Sequence, residues 1–162
     1  MENEWARMVL VGIGATLVMD LWTLLLKALG VPTLNYGLVG RWVGHLQRGQ
    51  WTHSNIGATA PIPGELLLGW GIHYAVGIVF SALLITIYGI GWLQDPAWGP
   101  ALVVGVSTVI FPWVVMQPAM GAGIAGSRTP TPVKNGLRSL ATHATFGFGL
   151  YLSAAALKQL WA

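Results

Sequence analysis

The chain contains no cysteine, and only 8% of its 162 residues are charged. The absence of cysteine excludes disulfides, thiolate metal ligands and a cysteine nucleophile. The scarcity of charge excludes an ordinary soluble domain, in which roughly 25% of the residues are charged. The formal net charge of +3 is too small and too dispersed along the chain for a nucleic-acid-binding surface. We therefore expect no nucleic-acid partner.

Apolar residues are abundant: they make up 54% of the chain, and the mean hydropathy is +0.64. They gather in four segments, at about residues 8-30, 66-91, 97-121 and 137-161. A spanning helix needs about 20 residues, and none of the four segments alternates with the period of two that a barrel strand requires. The sequence therefore predicts an all-α integral membrane protein, with a single domain of four transmembrane helices over residues 1-162. The lipid bilayer is its expected partner.

Two longer connections, at residues 31-64 and 122-136, are predicted to lie on one face of the membrane, which we call the loop face. The longer one joins helices one and two. Its stretch Leu34–Gln47 places Leu38, Trp42 and Leu46 four residues apart, a spacing typical of a short amphipathic helix at the interface.

The distribution of basic residues predicts the orientation in the membrane. Six of the eight Lys and Arg residues lie in or beside the loop face, and the remaining two, Arg7 and Lys158, lie opposite. By the positive-inside rule, the loop face is cytoplasmic and both termini are outside.

Polar side chains inside the four spans are the strongest functional signal in the sequence. Each span contributes one, and the four are Asp20, His73, Gln117 and His143. At 1.5 Å per residue they lie about 15, 10–12, 6 and 9–10 Å from the loop face, in that order. An ionisable side chain in hydrocarbon is costly and by default marks a functional site. We predict that the four side chains line one polar layer, which binds a ligand or an ion.

The helix faces that carry this layer are rich in small residues. Gly69, His73 and Gly77 repeat every fourth residue in helix two, which permits close approach of a neighbouring helix. Pro118 removes a backbone donor beside Gln117, as in transporters whose broken helices line substrate sites. The residues predicted to support the layer are Thr16, Glu65, Tyr74, Pro118 and Arg138.

The loop between helices one and two carries Arg41, His45, Arg48 and His53. These side chains could cap the layer from the cytoplasmic side, and the two histidines could extend a metal shell. For the basic residues, contact with anionic lipid headgroups is the favoured alternative. Glu65 lies in the first turn of helix two, where the positive end of the helix dipole accounts for a carboxylate.

Several chemistries fit the polar layer, and the sequence leaves them open. Asp20, His73 and His143 would form a reasonable partial shell for Zn²⁺ or another divalent metal. The same groups could relay protons, because His titrates near neutral pH. Two histidines could instead hold a haem, which is the less favoured cofactor. Finally, each residue could be a hydrogen-bonded packing residue, with Asp20 paired to Arg138.

Four runs of residues together resemble a known family. They are Ala15-Thr-x-x-Met-Asp20, Gly69-Trp-x-x-His-Tyr-x-x-Gly77, Phe111-Pro-x-x-x-x-Gln-Pro-x-x-Gly-x-Gly123 and His143-x-x-x-Gly-x-Gly149. They are similar to a family of short bacterial inner-membrane proteins, the domain-of-unknown-function family 2938. The resemblance covers nearly the whole chain and implies four helices in a bacterial inner membrane. It carries no established activity, so no residue role is transferred.

The predicted function is a transport-type role, in which the polar layer binds or conducts a small solute, above all a metal ion or a proton. Four helices enclose little cavity, so we expect a homo-oligomer or a subunit of a membrane complex. One alternative is an accessory or assembly subunit of a larger membrane complex, in which the polar layer is structural or binds haem. Another is a metal-dependent intramembrane hydrolase with an open coordination position. An enzymatic role is less favoured than transport.

Overall fold

The structure is a computed structural model that describes residues 2–160, with their side chains from residue 4 onward. Within this range the regular structure is entirely helical, as predicted. Four segments are long and apolar enough to span a membrane: Glu4–Ala28, Glu65–Tyr88, Trp98–Ala119 and Pro132–Leu160. The four-helix part of the predicted fold is therefore confirmed at the level of helix length and composition.

The α-helices of the described range are α1 (Glu2–Ala28), α2 (Tyr36–Leu46), α3 (Glu65–Tyr88), α4 (Trp98–Ser107), α5 (Gln117–Ala119) and α6 (Pro132–Leu160). The short helix predicted within Leu34–Gln47 is confirmed as α2. Its N-cap is Asn35, whose side chain accepts a hydrogen bond from the Gly37 N–H at 2.9 Å.

The last helix differs from its predicted bounds. It begins at Pro132 rather than near residue 137, so the second connection is shorter than 122-136. Proline suits the first position of a helix, because its φ is already helical and no partner is needed there for a backbone N–H. The polar residues that follow Pro132 lowered the hydropathy, which hid the true start of the helix. The predicted end of this span, at residue 161, lies outside the described residues.

The third span is broken, as Pro118 predicted. Its first part, α4, ends at Ser107, and a π-helical segment, Pro112–Met116, precedes α5. The Gln117 N–H bonds to the carbonyl of Pro112, five residues earlier. Neither Pro112 nor Pro118 has a backbone N–H, so the regular ladder of i to i−4 hydrogen bonds cannot continue through them. π-helical turns of this kind occur frequently at functional sites.

The chain divides into two compact units. The first unit consists of Met1–Thr33, Tyr74–Thr108 and Ala141–Ala162, and the second of Leu34–His73 and Val109–Leu140. In the first unit, a Cβ on Gly12 would lie 2.6 Å from the Cα of Ile78, and a Cβ on Gly149 would lie 2.9 Å from the Cα of Ala15. Helix backbones therefore meet at glycines in this unit, as the small-residue faces predicted.

The second unit holds its loops by backbone hydrogen bonds. The N–H of His53 donates to the carbonyl of Ala119 at 2.8 Å, and the N–H of Ile56 donates to the carbonyl of Met120 at 3.1 Å. The segment that follows α2 is thus fastened to the turn that follows the broken third span. Buried backbone groups need such partners, so these bonds fix the course of a loop that has little apolar surface of its own.

Candidate functional site

Asp20 lies in α1 of the first unit, with only 9% of its surface exposed. The Tyr74 hydroxyl, from α3, donates a hydrogen bond to Oδ2 of Asp20 at 2.9 Å. Tyr74 therefore supports a layer residue directly. One turn before Asp20, the buried hydroxyl of Thr16 donates to the carbonyl of Gly12 at 2.8 Å, and it lies against Gly77. Thr16 thus supports the packing of the helix that carries Asp20.

His143 lies in α6 of the first unit and is held by Thr108. The distance from His143 Nδ1 to Thr108 Oγ1 is 2.9 Å, and that hydroxyl also lies 2.6 Å from the carbonyl oxygen of Gly105. A carbonyl can only accept, so the single hydroxyl proton goes to Gly105 and Nδ1 of His143 must donate to Oγ1. In the neutral ring this assignment leaves Nε2 as the basic nitrogen of His143.

His73 lies in α3 of the second unit, within an aromatic cluster. Its Nε2 is 3.1 Å from the hydroxyl of Tyr36, the first residue of α2. The rings of His73 and Tyr36 have centroids 4.2 Å apart, and the ring of Trp70 lies 4.5 Å from that of Tyr36. The close approach of α2 to α3 depends on two glycines, because a Cβ on Gly40 would meet the Gly69 nitrogen at 2.7 Å.

Gln117 lies at the start of α5 in the second unit, beside Pro118. Its side-chain oxygen, Oε1, is buried and has no hydrogen-bond partner among the described residues. A Cβ on Gly126 would lie 3.6 Å from this oxygen. Because Gly126 is buried and has no side chain, there is room beside the Gln117 oxygen. A buried amide oxygen is a strong acceptor, and a donor from a ligand or a water molecule would stabilise it.

The four layer residues divide between the units. Asp20 and His143 belong to the first, and His73 and Gln117 to the second. The layer as a set of four therefore stays a prediction. The described residues contain no group of three or more His, Cys, Asp or Glu side chains that could hold a metal ion. The structure thus gives no support to the predicted metal site of Asp20, His73 and His143.

Arg41 and Glu65 form a bidentate ion pair in the second unit. Arg41 Nε donates to Oε2 of Glu65 at 2.8 Å, and Nη2 donates to Oε1 at 2.7 Å. Arg41 Nη1 also donates to the carbonyl of Thr59 at 2.9 Å, and Glu65 Oε2 accepts from the N–H of Ile62 at 3.1 Å. The hydrogen bonds with Glu65 raise the pKa of the Arg41 guanidinium above its ordinary value.

This pairing bears on two expectations. The side chain of Arg41 is only 12% exposed and is occupied by protein groups, whereas contact of the basic loop residues with lipid headgroups stays a prediction. Glu65 joins α3 to α2, which the helix dipole alone did not predict. Of the other basic residues singled out, Arg48 is exposed, and Arg138 donates to the side chain of Asn135 at 3.4 Å.

The two loop histidines contact one another directly. The distance from His45 Nδ1 to His53 Nε2 is 2.9 Å, and the ring centroids are 5.0 Å apart. His45 is 5% exposed, and the outer nitrogen of His53, Nδ1, is buried without a hydrogen-bond partner. We call this pair the His45–His53 dyad.

A family model described as a protein of unknown function, DUF2938, matches residues 9–157. The chain belongs to this family. The match confirms the resemblance in the sequence and covers all four layer residues. The family is described only as one of unknown function, so no activity or residue role can be transferred from it. Searches of the curated proteins and of the solved structures gave no match.

In this DUF2938 protein, sequence reasoning missed two of the hydroxyl groups that hold the ionisable side chains. Tyr36 is the first residue of α2, ahead of the Leu38, Trp42 and Leu46 spacing that predicted this helix, so that spacing did not indicate which way its side chain points. Thr108 lies inside the apolar third span next to another hydroxyl residue, Ser107, so composition did not single it out. Both would have been found by asking which hydroxyls could lie at the depth of each histidine.

Proposed function

We propose that this DUF2938 protein is a multi-pass membrane protein that binds and relays protons through polar side chains within its helices. The protons either move alone or move together with a small solute. One observation carries the proposal. The three ionisable side chains of the predicted layer, Asp20, His73 and His143, each make a hydrogen bond to a hydroxyl of another element.

A hydroxyl partner suits a group that must gain and lose protons. It can donate or accept, so it holds a carboxylate or an imidazole in one orientation in either protonation state. Polar residues with such partners inside a membrane often belong to proton relays. The alternative, that these bonds only join helices, makes a different experimental prediction.

The bacterial inner membrane is the location that we propose, with the loop face in the cytoplasm and both termini outside. The excess of Lys and Arg in the loop face supports this orientation. We also propose a homo-oligomer, since four helices alone enclose little space for a solute. Metal-dependent transport and hydrolysis are less favoured, because no group of three ligands is formed among the described residues.

The test is proton flux into proteoliposomes that contain the purified protein and a pH-sensitive dye, driven by a membrane potential. We expect flux above that of empty vesicles, reduced at least about tenfold by Asp20→Asn, His73→Gln or His143→Gln, since loss of a positioned proton-transfer group typically costs that much or more. Thr145→Val is the matched control, because the Thr145 hydroxyl bonds only to its own helix, at the carbonyl of Ala141.

Two results would contradict the proposal. One is wild-type flux no greater than that of empty vesicles, and the other is full flux in all three variants. Thermal unfolding of each variant in detergent distinguishes loss of a relay group from loss of structure. Full flux together with lowered stability would identify the hydroxyl bonds as helix-joining contacts.

A further inference from the structure

The His45–His53 dyad lies outside the predicted polar layer, and its geometry is specific. His45 is in the last turn of α2, and His53 follows the loop that leaves this helix. Their facing nitrogens are 2.9 Å apart, which is the distance of a good hydrogen bond. Because His45 is buried, the pair is shielded from solvent that could compete for this bond.

Facing imidazole nitrogens can share either a proton or a metal ion, and the structure distinguishes the two. A metal ion at about 2.0–2.1 Å from each nitrogen, in tetrahedral geometry, would require further ligands. No third His, Asp or Glu of the described residues joins the pair to complete such a group. A shared proton needs only the two rings. The ligand that fits the dyad is therefore a proton.

The hydrogen bond can be drawn in two neutral forms. In the first, Nε2 of His53 carries the shared proton, Nδ1 of His53 is unprotonated, and Nε2 of His45 holds the other proton. In the second, Nδ1 of His45 carries the shared proton, and the outer proton lies on Nδ1 of His53. In both forms the outer nitrogen of His53 is a buried polar atom whose hydrogen-bonding capacity is unused by the described residues. Such an atom needs a partner, and an incoming proton donor supplies one.

We propose that the His45–His53 dyad is a proton relay on the loop side of the protein. A proton binds Nδ1 of His53, the shared proton moves from Nε2 of His53 to Nδ1 of His45, and Nε2 of His45 releases its proton. One proton enters and one leaves, and no electrons are transferred. Rotation of the two rings, or transfer in the reverse direction, restores the first form.

The charged groups nearest the dyad are paired with each other. Glu65 is close enough to His45 for an electrostatic interaction, and Arg41 precedes His45 by one turn of α2. Because Arg41 is paired with Glu65, the two charges largely compensate one another and add little net charge beside the dyad.

The dyad can be tested without assuming transport, through the nitrogen-15 spectrum of histidine-labelled protein in detergent between pH 4 and 9. The chain has only four histidines, which keeps the spectrum assignable. We expect a scalar coupling between Nδ1 of His45 and Nε2 of His53 across the shared proton of their hydrogen bond. His53→Gln should abolish this coupling, whereas His73→Gln should leave it intact. Absence of the coupling in the wild type over the whole pH range would overturn the proposal.

Addition of Zn²⁺ tests the metal alternative in the same sample. We expect no stoichiometric change in the dyad signals at micromolar Zn²⁺. A shift of both ring nitrogens by one equivalent of Zn²⁺, reversed by a chelator, would overturn the assignment of a proton as the ligand.

The relay role rests on the proposed proton flux, and the proteoliposome assay separates the two. We expect His45→Gln and His53→Gln each to lower flux by at least about threefold. The double variant should be no lower than either single variant, because the two rings act in one path. Full flux in both single variants, with flux still lost in Asp20→Asn, would overturn the relay and leave the proposed function standing. Absence of flux in the wild type would refute both the proposed function and the relay.

Discussion

Each of the two units of this protein is stabilised internally by a different kind of interaction. In the first unit, helix backbones meet at glycines, and a tyrosine hydroxyl joins two helices by its bond from Tyr74 to Asp20. In the second unit, an ion pair and several bonds to backbone carbonyls fasten a long loop, as Arg41 does at Thr59. The first arrangement lets helices approach closely. The second fixes the course of a loop.

Close packing at glycine should give the largest effect on stability. An added side chain on Gly12 meets the backbone of Ile78, which cannot rotate away as a side chain can. We expect Gly12→Leu to destabilise the protein by about 3 kcal/mol, the upper end of the usual range for overpacking. Unfolding in a detergent titration, followed by circular dichroism, measures the change.

Gly71 is the matched control, because nothing lies within 4 Å of the position that its Cβ would occupy. It also lies inside a helix, so Gly71→Ala should stabilise the protein by about 0.5–1 kcal/mol through helix propensity. Equal effects of substitution at the two glycines would show that backbone contact does not hold the first unit together.

Removal of one partner of the Arg41–Glu65 pair should have the next largest effect. Glu65→Gln takes the charge from a carboxylate that bonds to two nitrogens of Arg41 and to the N–H of Ile62, so we expect a clear fall in the unfolding temperature. Limited proteolysis at residues 47-60 should accelerate with it, because Arg41 also binds carbonyls in that segment.

Asp95 is the control for an ion pair of little consequence. Its bond to Lys158 is 3.0 Å long, but its side chain is 93% exposed. An exposed pair of this kind contributes roughly 0–1 kcal/mol, so Asp95→Asn should leave both the unfolding temperature and the proteolysis rate almost unchanged. A loss in Asp95→Asn as large as that in Glu65→Gln would refute the contrast between the two pairs.

Removal of a hydroxyl that holds an ionisable side chain should have the smallest effect on stability. Tyr74→Phe in the first unit and Tyr36→Phe in the second each delete one hydrogen bond while the ring remains. We expect a loss of about 1 kcal/mol in each, measured by the same detergent unfolding. Proton flux should fall by less than in Asp20→Asn, because the titratable group itself is still present. A loss of stability in only one of the two variants would show that the hydroxyls do not have equivalent roles.

Much of the fold could be predicted from local patterns. Hydropathy located the four spans, the spacing within Leu34–Gln47 predicted α2, and Pro118 predicted the break in the third span. Each of these signals lies within about one helix length of sequence. The start of α6 was missed because the polar residues after Pro132 continue the helix without apolar character.

The contacts of the candidate site could be predicted only in part, because each joins residues that are distant in the chain. Tyr36 and His73 are 37 residues apart, and Arg41 and Glu65 are 24 apart. Helical periodicity predicts which face of its own helix a residue occupies, but it does not predict which residue of another element will lie opposite. The ionisable residues could be identified from their cost inside a membrane, whereas their partners depend on how the helices and loops pack.

Helix α2 has a consequence that follows from its length. It is a single run of 11 residues that begins with Tyr36 and has His45 next to its last position. The two residues are about 14 Å apart along the helix axis. A helix this short is stiff, so it holds its two ends at a fixed separation. The imidazole of His45 and the hydroxyl that positions His73 are therefore placed relative to one another by one rigid element.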